Sequence, residues 1–500
     1  MKKIKLSILL LMIGTLFSKG LGLIREILLA QKFGASYITD SFILSLAIPT
    51  VLITTLASAI LTNYIPIYSE IEKESKEKAY KFNGILIAVI MLLATIIVVL
   101  FFIFTKPIVS VFAAGFNEIA FKYLIDLSRI TIFNVYFILL SYILQGYLEY
   151  KEKFIGTSLF GILLNIGMIC GIIFSTSENY KMLGYGVVIG YILSFVVLII
   201  LSFNNKFKVT FTFNIKDEYL KKLVILTLPI ILNDAVWQIN GLVDKSVAST
   251  LGPGYISAIN YSHYIVDMVG TIFATSIATV FFPMLVKFIN KKLIETVRIK
   301  IRLVLKNIIF VTMPFTFLIF IFSEPIVKVL LFRGAFDERN LEITSIAVSL
   351  YSLSLVFVCL KTVLFKIFYA FQDTKNPTIS AVIAIILNII LTLILVKPFG
   401  YRGIIVATLV SSIISFIMLI SLLNKKCSNI INKEFIINIA KIIFSLILMI
   451  ITTLLIEKML LNLNIFNYLF SLIFRVCLSS ITGIIVYLIS LKIIKYDFKK

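Results

Sequence analysis

The sequence predicts an all-α fold, a polytopic membrane protein of about 14 transmembrane helices with two six-helix lobes in parallel repeat plus two C-terminal helices. The first observation behind this prediction is composition, because 60% of the 500 residues are hydrophobic and only 14% are charged. A soluble domain of this length does not need so much apolar surface, since its core grows more slowly than its chain. The second observation is the length of the apolar runs. Residues 82–104 alone are long enough to cross about 30 Å of hydrocarbon as a helix.

Apolar runs of helical length follow one another along the whole chain. The predicted helices cover residues 6–31, 39–68, 81–105, 121–149, 155–175, 182–203, 219–250, 255–289, 302–323, 340–371, 377–397, 400–424, 434–457 and 464–492. We assign residues 1–204 to an N-lobe, 205–218 to a cytoplasmic linker, 219–426 to a C-lobe and 427–500 to the last two helices.

The net charge of +22 reflects lysines in the loops between spans, where basic residues set orientation. Segments 72–81, 206–222 and 287–302 are rich in Lys and Arg, whereas the alternate set includes the nearly uncharged 251–254. Both termini are therefore expected in the cytoplasm, with no nucleic-acid partner. Residues 1–17 begin like a signal peptide, but no small-residue cleavage site follows, so a retained first span is expected.

Several kinds of chemistry have no support in the sequence. Four scattered cysteines form no CxxC pair or disulfide framework, and the single histidine, His263, excludes a multi-histidine metal site. No phosphate loop of the GxxxxGK[ST] type and no nucleophile–base–metal set occurs. The sequence therefore favours a transporter without a cofactor over an enzyme.

The third observation behind the fold is an internal repeat. "REILLAQKFGASYITD" (25–40) aligns with "VDKSVASTLGPGYISA" (243–258), which matches glycines and the acids Glu26 and Asp244 in order. An even number of helices per copy places both copies in the same orientation across the membrane. Transporters built from such parallel repeats bind substrate between the two halves.

Charged residues inside the predicted spans are the candidate functional residues, because such groups are costly in hydrocarbon and usually face a bundle interior or a wet cavity. The first lobe contains Lys19, Arg25, Glu26 and Asp40, and the second contains Asp244, Lys245, Asp267 and Lys361. For any one of them, a structural ion pair between helices is an alternative role of about equal weight.

Spacing distinguishes some of these residues. Lys19 and Glu26 are about two helical turns apart and share a face, with Arg25 beside it. Asp40 follows a turn, so we expect it to cap the second span. Arg475, in the last span, is expected to line a lateral groove or to extend its charge to the membrane surface.

Four segments together resemble one known family. "FSKGLGLIREILLAQKFGASYITDSF" (17–42) closely resembles the first-span signature of the MurJ/MviN lipid II flippases of the multidrug/oligosaccharidyl-lipid/polysaccharide exporter superfamily. "VDKSVASTLGPGYISAINYS" (243–262), "LFRGAFDE" (331–338) and "FYAFQDTKNPTI" (368–379) are similar to the same family in the same order. The resemblance covers essentially the whole chain.

The resemblance implies a flippase that moves undecaprenyl-pyrophosphate-linked disaccharide-pentapeptide from the inner to the outer leaflet by alternating access, in the bacterial cytoplasmic membrane. The family's basic cavity residues fall on Lys19 and Arg25, its following acid on Glu26 and its loop aspartate on Asp40. The last two helices, with Arg475, would form the groove for the lipid tail.

The chain departs from the family pattern at two basic positions. Ile53 stands where an arginine is common in the second span, and Tyr264 replaces a basic residue in the eighth, although the nearby acid is kept as Asp267. A flippase for another polyprenyl-linked oligosaccharide, of teichoic, capsular or O-antigen type, is therefore an alternative. A multidrug/cation antiporter and a membrane scaffold for wall-synthesis enzymes are further alternatives.

Our hypothesis assigns pyrophosphate binding to basic residues and gating or ion coupling to acids. Lys19 and Arg25 would neutralise the pyrophosphate, with Lys245 or Lys361 contributed from the opposite lobe. Carboxylates would then latch the lobes or bind a coupling cation whose identity stays open, and they are Glu26, Asp40, Asp244 and Asp267. A monomer is expected, with a polyprenyl-pyrophosphate-linked glycan and the lipid bilayer as its partners.

Overall fold

The computed structural model describes residues 2–212, 214, 216–427, 429–461 and 468–496. It contains, in chain order, α1 (Lys2–Phe33), α2 (Tyr37–Glu74), α3 (Lys76–Ile103), α4 (Thr105–Phe112), α5 (Glu118–Thr131), α6 (Asn134–Tyr150), α7 (Ile155–Phe174), α8 (Lys181–Asn204), α9 (Glu218–Ser249), α10 (Tyr255–Asn290), α11 (Ile294–Ile321), α12 (Ser323–Leu331), α13 (Glu338–Ala370), α14 (Lys375–Phe399), α15 (Tyr401–Lys426), α16 (Lys433–Leu460) and α17 (Tyr468–Ile493). Within these helices the side chains of residues 2–12, 52, 229, 232–237 and 274–280 lie outside the description.

The predicted all-α membrane fold is confirmed. Every predicted helix has a counterpart, and eleven helices of the described part are long and apolar enough to cross a membrane, with α5 and α6 taken together as one span. The remaining long helices, α1, α9 and α10, contain residues whose side chains are not described. The predicted number of fourteen spans is consistent with this set.

The structure adds features that the apolar runs did not predict. The short helices α4 and α12 follow α3 and α11, and the predicted helix 121–149 is interrupted at Ile132 and Phe133. Both short helices are amphipathic and half-exposed, so hydropathy averaged over a span-length window does not detect them.

The internal repeat appears in the positions of the helices. Helices α3 and α11 occupy equivalent places in the two sequence copies, and each is 28 residues long. Helices α5 and α13 follow them at nearly the same offset, and each is capped by a side chain. Asn117 accepts from the Ala120 N–H and Asp337 from the Asn340 N–H, both at 2.8 Å. The two copies therefore share helix starts as well as sequence.

Compact packing divides the chain differently from the predicted lobes. Unit 1 contains the residues up to Ser257 together with Arg333–Phe336, and unit 2 contains Ala258–Phe332 and the chain from Asp337 onward. Helix α9, the first helix of the second sequence copy, packs in unit 1 against α2. The predicted lobe boundaries at 204 and 219 stay a sequence-based division.

Close contact between α7 and α8 shows how the spans of unit 1 pack. A Cβ at Gly167 would lie 2.3 Å from the Gly190 Cα, and one at Gly171 would lie 2.7 Å from the Gly186 Cα. The four glycines form a four-residue spacing on each helix, a pattern that lets membrane helices approach backbone to backbone. Such contact holds α7 as a rigid wall for the charged residues of α1.

Candidate functional site

Arg25 is held against α7 by side-chain contacts inside unit 1. Its guanidinium Nη1 donates to the Asn165 Oδ1 at 3.1 Å and to the Met168 Sδ at 3.2 Å, and its Nη2 donates to the Glu26 carboxylate. The arginine side chain is 19% exposed. A cation this far buried is stable only with such partners, so its position is fixed before any ligand binds.

Asn165 connects α1 to α7 at two points. Besides accepting from Arg25, it donates through Nδ2 to the Ser18 carbonyl at 3.1 Å and to the Gly161 carbonyl at 2.9 Å. Gly161 allows this approach, because a Cβ there would lie 2.5 Å from the Ser18 Oγ. The amide thus orients the guanidinium on one side and fixes the α1 backbone next to Lys19 on the other.

Glu26 is buried beside Arg25. Its side chain is 5% exposed, and its Oε2 accepts no hydrogen bond from the described residues. The Lys245 ammonium of α9 lies within electrostatic range of the carboxylates of Asp244 and Glu26. Arg25, Glu26, Asp244 and Lys245 therefore influence one another electrostatically within unit 1, and Arg25 and Glu26 form a contact ion pair. We call these four residues the α1–α9 charge cluster.

Lys19 lies on the same helix, two turns before this cluster. Its side chain is half-buried. A Cβ added to the neighbouring Gly20 would meet no heavy atom within 4 Å, so α1 borders open space at this level. Helix α1 continues through Gly20 and Gly22 without interruption.

The prediction that Asp40 caps its own helix is wrong. The side chain of Ser36 caps α2 instead, whereas Asp40 is fully buried and binds the first turn of α10. Its carboxylate accepts from the Gly254 N–H at 2.7 Å, the Ser257 N–H at 2.7 Å and the Ser257 hydroxyl at 2.6 Å. A buried carboxylate needs several donors, and the unsatisfied N–H groups of a distant helix end supply them more completely than its own first turn.

Two tight turns of unit 1 approach the α1–α2 connection. The Ala335 N–H donates to the Gln31 carbonyl at 2.8 Å, and a Cβ at Gly334 would lie 2.2 Å from that oxygen. A Cβ at Gly254 would lie 2.4 Å from the Ala35 carbonyl oxygen. Both glycines have positive φ, at 61° and 86°, so glycine is required both for conformation and for space.

The other predicted site residues lie in unit 2 on separate helices. Asp267 of α10 is exposed and accepts from the Thr271 hydroxyl at 3.2 Å, and Lys361 of α13 is 9% exposed. Arg475 of α17 is half-buried, and it lies within electrostatic range of the Glu457 carboxylate of α16.

Sequence reasoning missed three residues that the structure places in polar contacts. Asn165 could have been found, because "GILLNIG" (161–167) resembles "AIILNII" (384–390) and an asparagine is at the same position in both. Lys32 donates to the Ile172 and Ile173 carbonyls, at 2.9 and 2.6 Å, and so caps the end of α7. Glu457 had no signal beyond being an acid near a predicted helix end.

The structure describes the surroundings of both positions at which the chain departs from the family pattern. Ile53 is 3% exposed in the apolar packing of α2, and Tyr264 is half-buried on α10. Neither position supplies a cation. In the part of the chain that is described, no group of three or more His, Cys, Asp or Glu side chains is arranged to hold a metal ion.

Comparisons with known proteins agree with this architecture. The sequence profile of the family described as "Lipid II flippase MurJ" matches residues 29–474. A Rickettsia prowazekii protein named probable lipid II flippase MurJ is 29% identical over 412 residues, which cover 80% of this chain and 79% of that protein. A Thermotoga maritima protein of the same name is 27% identical, with 81% of this chain and 83% of that protein covered.

Solved structures show the same fold. A lipid II flippase MurJ in an inward closed conformation superposes with a TM-score of 0.83 at 28% identity, over 97% of this chain and 98% of that chain. An inward-facing multidrug resistance MATE family transporter of the MOP superfamily superposes with a TM-score of 0.72 at 15% identity, over 85% of this chain and 98% of that chain. The second likeness extends to the fold alone. With a family profile that matches most of its length, the chain belongs to the MurJ family of lipid II flippases.

Proposed function

We propose that this protein is a lipid II flippase of the bacterial inner membrane, which moves the undecaprenyl-pyrophosphate-linked peptidoglycan precursor from the inner to the outer leaflet. The observation that carries the proposal is the match to a solved lipid II flippase over 97% of the chain. The α1–α9 charge cluster supports it, because such buried cations are suited to an anionic group at membrane depth.

The pyrophosphate carries about two negative charges, which need cations inside the membrane. Arg25 provides a planar donor fork that suits phosphate oxygens, and Lys19 and Lys245 of the same unit provide point charges. Lys361 stays a candidate from the sequence. In the structure Glu26 holds Arg25, and Asp244 and Glu26 act on Lys245. In our mechanism these acids balance the cations while no substrate is bound, and the pyrophosphate displaces them on entry.

Release to the outer leaflet is favoured by the membrane potential, which contributes about 2.3 kcal/mol per charge per 100 mV when the cell interior is negative. As the substrate leaves, the acids regain their cations and the site returns to its unloaded state. Glu26, Asp244 and Asp267 are the candidates to bind a coupling cation during this return. Asp40 is the candidate gate residue, since its three hydrogen bonds must break if α2 and the start of α10 separate.

The two helices α16 and α17 are proposed to form the groove for the polyprenyl tail. Their outward faces are apolar and exposed, including Ile447, Leu455, Ile481 and Leu488. Glu457 of α16 lies within electrostatic range of Arg475 of α17, and these two helices pack together. Both termini are proposed to lie in the cytoplasm, as the distribution of basic loops indicates.

A second candidate function is the transport of another polyprenyl-linked oligosaccharide. The observation that favours it is the loss of cations at Ile53 and Tyr264, of which Ile53 is buried among apolar side chains. Fewer cations suit a headgroup that carries less negative charge or makes other contacts.

Complementation of a conditional lipid II flippase deletion separates these candidates. Growth with this chain, together with flipping of labelled lipid II in proteoliposomes of the purified protein, is the expected result. Normal membrane insertion without growth and without lipid II flipping would contradict the proposal and leave the other lipid-linked glycans to be tested in the same liposomes.

A further inference from the structure

The two repeats end their fourth membrane helix with the same turn. Glu152 and Gln372, at equivalent positions of the two repeats, have φ values of 59° and 58°. The following residues donate backwards in the same way: the Lys153 N–H to the Leu148 carbonyl at 2.8 Å and the Asp373 N–H to the Phe368 carbonyl at 3.0 Å. Lys153 and Asp373 are therefore structurally equivalent, and this equivalence relates a lysine to an acid.

In the second repeat this turn is closed by an ion pair. The Asp373 Oδ2 lies 2.8 Å from the Lys426 Nζ, at the end of α15. The ammonium also lies 5.3 Å from the centre of the Phe371 ring. The charge of Lys426 is thus neutralised within the protein.

In the first repeat the equivalent positions both carry lysine. The offset that relates Lys153 to Asp373 also relates Lys206 to Lys426, and it relates the start of α8 to the start of α15. Lys153 and Lys206 line one cavity of about 540 Å³ together with Lys76, Lys151 and Glu72. Four lysines against one glutamate leave the cavity with an excess of positive charge.

The one carboxylate of this cavity is already occupied. Glu72 accepts from the Lys151 ammonium at 2.9 Å and from the Tyr150 hydroxyl at 2.7 Å. Among the described residues, neither Lys153 nor Lys206 forms an ion pair. Like charges that share a cavity repel each other, and an external anion removes that repulsion.

The walls of the cavity are fixed by the segment that follows α8. The Tyr147 hydroxyl donates to the Asn205 carbonyl at 2.8 Å, and the Thr210 N–H donates to the Tyr80 carbonyl at 3.0 Å. A Cβ at Gly84 would lie 2.0 Å from the Thr210 carbonyl oxygen, so the segment lies directly on α3. These contacts build the cavity without a ligand, which lowers the cost of ordering on binding.

We propose that this cavity binds the phosphate headgroup of an anionic phospholipid from the cytoplasmic leaflet. The cavity lies at the ends of α2, α6 and α8 and the start of α3, and the ends of membrane helices lie at headgroup depth. Basic pockets between membrane helices on this side are suited to anionic headgroups. This site is separate from the proposed transport site, and its test does not depend on lipid II.

The test measures binding of labelled phosphatidylglycerol to the purified full chain in phosphatidylcholine nanodiscs. Lys153→Ala is expected to weaken binding about fivefold, because each basic charge near the membrane surface contributes about 1 kcal/mol. Lys153→Asp changes the charge by two units and is expected to weaken binding about 30-fold. Lys153→Asp also re-creates the acid–lysine pair of the second repeat, so folding is expected to be retained. Lys221→Asp is the matched control, since Lys221 is exposed on α9 and does not line the cavity.

Each outcome decides the proposal. A loss with Lys153→Asp and none with Lys221→Asp supports it, together with a preference for phosphatidylglycerol over phosphatidylcholine. Equal losses in both variants mean non-specific attraction and overturn it. Equal binding of both lipids overturns it as well. Displacement of the label by inorganic phosphate at matched concentration shows a site for soluble anions and overturns the assignment to a lipid.

Discussion

Charged side chains of the membrane helices differ in burial between the two compact units. In unit 1, Arg25 is held by an amide, a thioether and a carboxylate, and Asp40 by three donors. In unit 2, the side chain of Asp267 is exposed and that of Arg475 is half-buried. Unit 1 therefore holds its charged groups in a preorganised arrangement, which is the property expected of a binding site. Substitutions matched between the two units test this difference.

The largest effect is expected from loss of Asp40, compared with loss of Asp337, which caps α13. Asp40→Ala is expected to lower the free energy of unfolding by about 3 kcal/mol or more, since it leaves the Gly254 and Ser257 N–H groups without an acceptor and leaves the Ser257 hydroxyl only its longer bond to the Gly254 carbonyl, at 3.2 Å. Asp337→Ala, at the start of α13, removes an ordinary cap and is expected to cost about 1 kcal/mol. Denaturant unfolding of both purified variants measures the difference. Equal losses would mean that the three bonds of Asp40 contribute no more than a local cap.

The second effect is a loss of thermal stability, and it is expected to differ between two glycines with similar φ values. Gly334 has φ of 61° and lies against the Gln31 carbonyl, whereas Gly400 has φ of 55° and no atom within 4 Å of an added Cβ. Each alanine variant is expected to carry a conformational cost of about 1–3 kcal/mol, because both glycines have positive φ. Gly334→Ala adds a clash worth about 1–3 kcal/mol. Thermal melting of the two variants is expected to separate them in that order, and the reverse order would refute the close approach.

The third effect is a loss of lipid II flipping, and it is expected to differ between two arginines. Arg25→Ala removes charge-assisted hydrogen bonds worth about 1.5–3 kcal/mol, so flipping of lipid II is expected to fall roughly 10- to 100-fold. Arg475→Ala is expected to reduce the rate less than about fivefold, because its charge is balanced by a single acid. Arg402→Ala, an exposed arginine, is the control for loss of a positive charge. Full activity of Arg25→Ala at normal expression would remove this residue from the site.

The smallest effect is a pH dependence in unit 2. Hydrogen bonds from Lys426 and Asn376 outweigh the effect of burial and hold the pKa of Asp373 below its ordinary value. A carboxylate with a lowered pKa stabilises the fold above its unfolded pKa, and this contribution is lost as the pH falls through the folded value. For an ion pair at the surface, this contribution to the free energy of unfolding is at most about 1 kcal/mol. Melting temperatures of the wild type should therefore approach those of Asp373→Asn on acidification below about pH 4.

The sequence predicted the helices well because apolar runs of span length have few other structures available to them. It also singled out Arg25 and Glu26 as candidate site residues, since charges within such runs are rare. It did not predict the partner of Asp40, because Ser257 lies 217 residues away and a hydrogen bond between distant helix ends has no local pattern. For the same reason Asn165 was missed, although its position in a repeated segment was visible.

The repeat itself was detected from glycines and acids, whereas the unit boundary was not. Helix α9 belongs to the second copy by sequence and to unit 1 by packing. Sequence similarity records the ancestry of a helix, while packing depends on which apolar faces meet, and the two need not coincide.

The bonds of Asp40 also have a consequence for the order of synthesis. Ser257 is the last residue of unit 1 before Ala258 begins unit 2, and its N–H is bound by a carboxylate made 217 residues earlier. A chain made from its N-terminus has this acceptor in place when the first turn of α10 emerges. The Asp40 carboxylate is thus synthesised before α10, the helix whose first turn it caps. A circular permutant that begins after α2 would reverse that order.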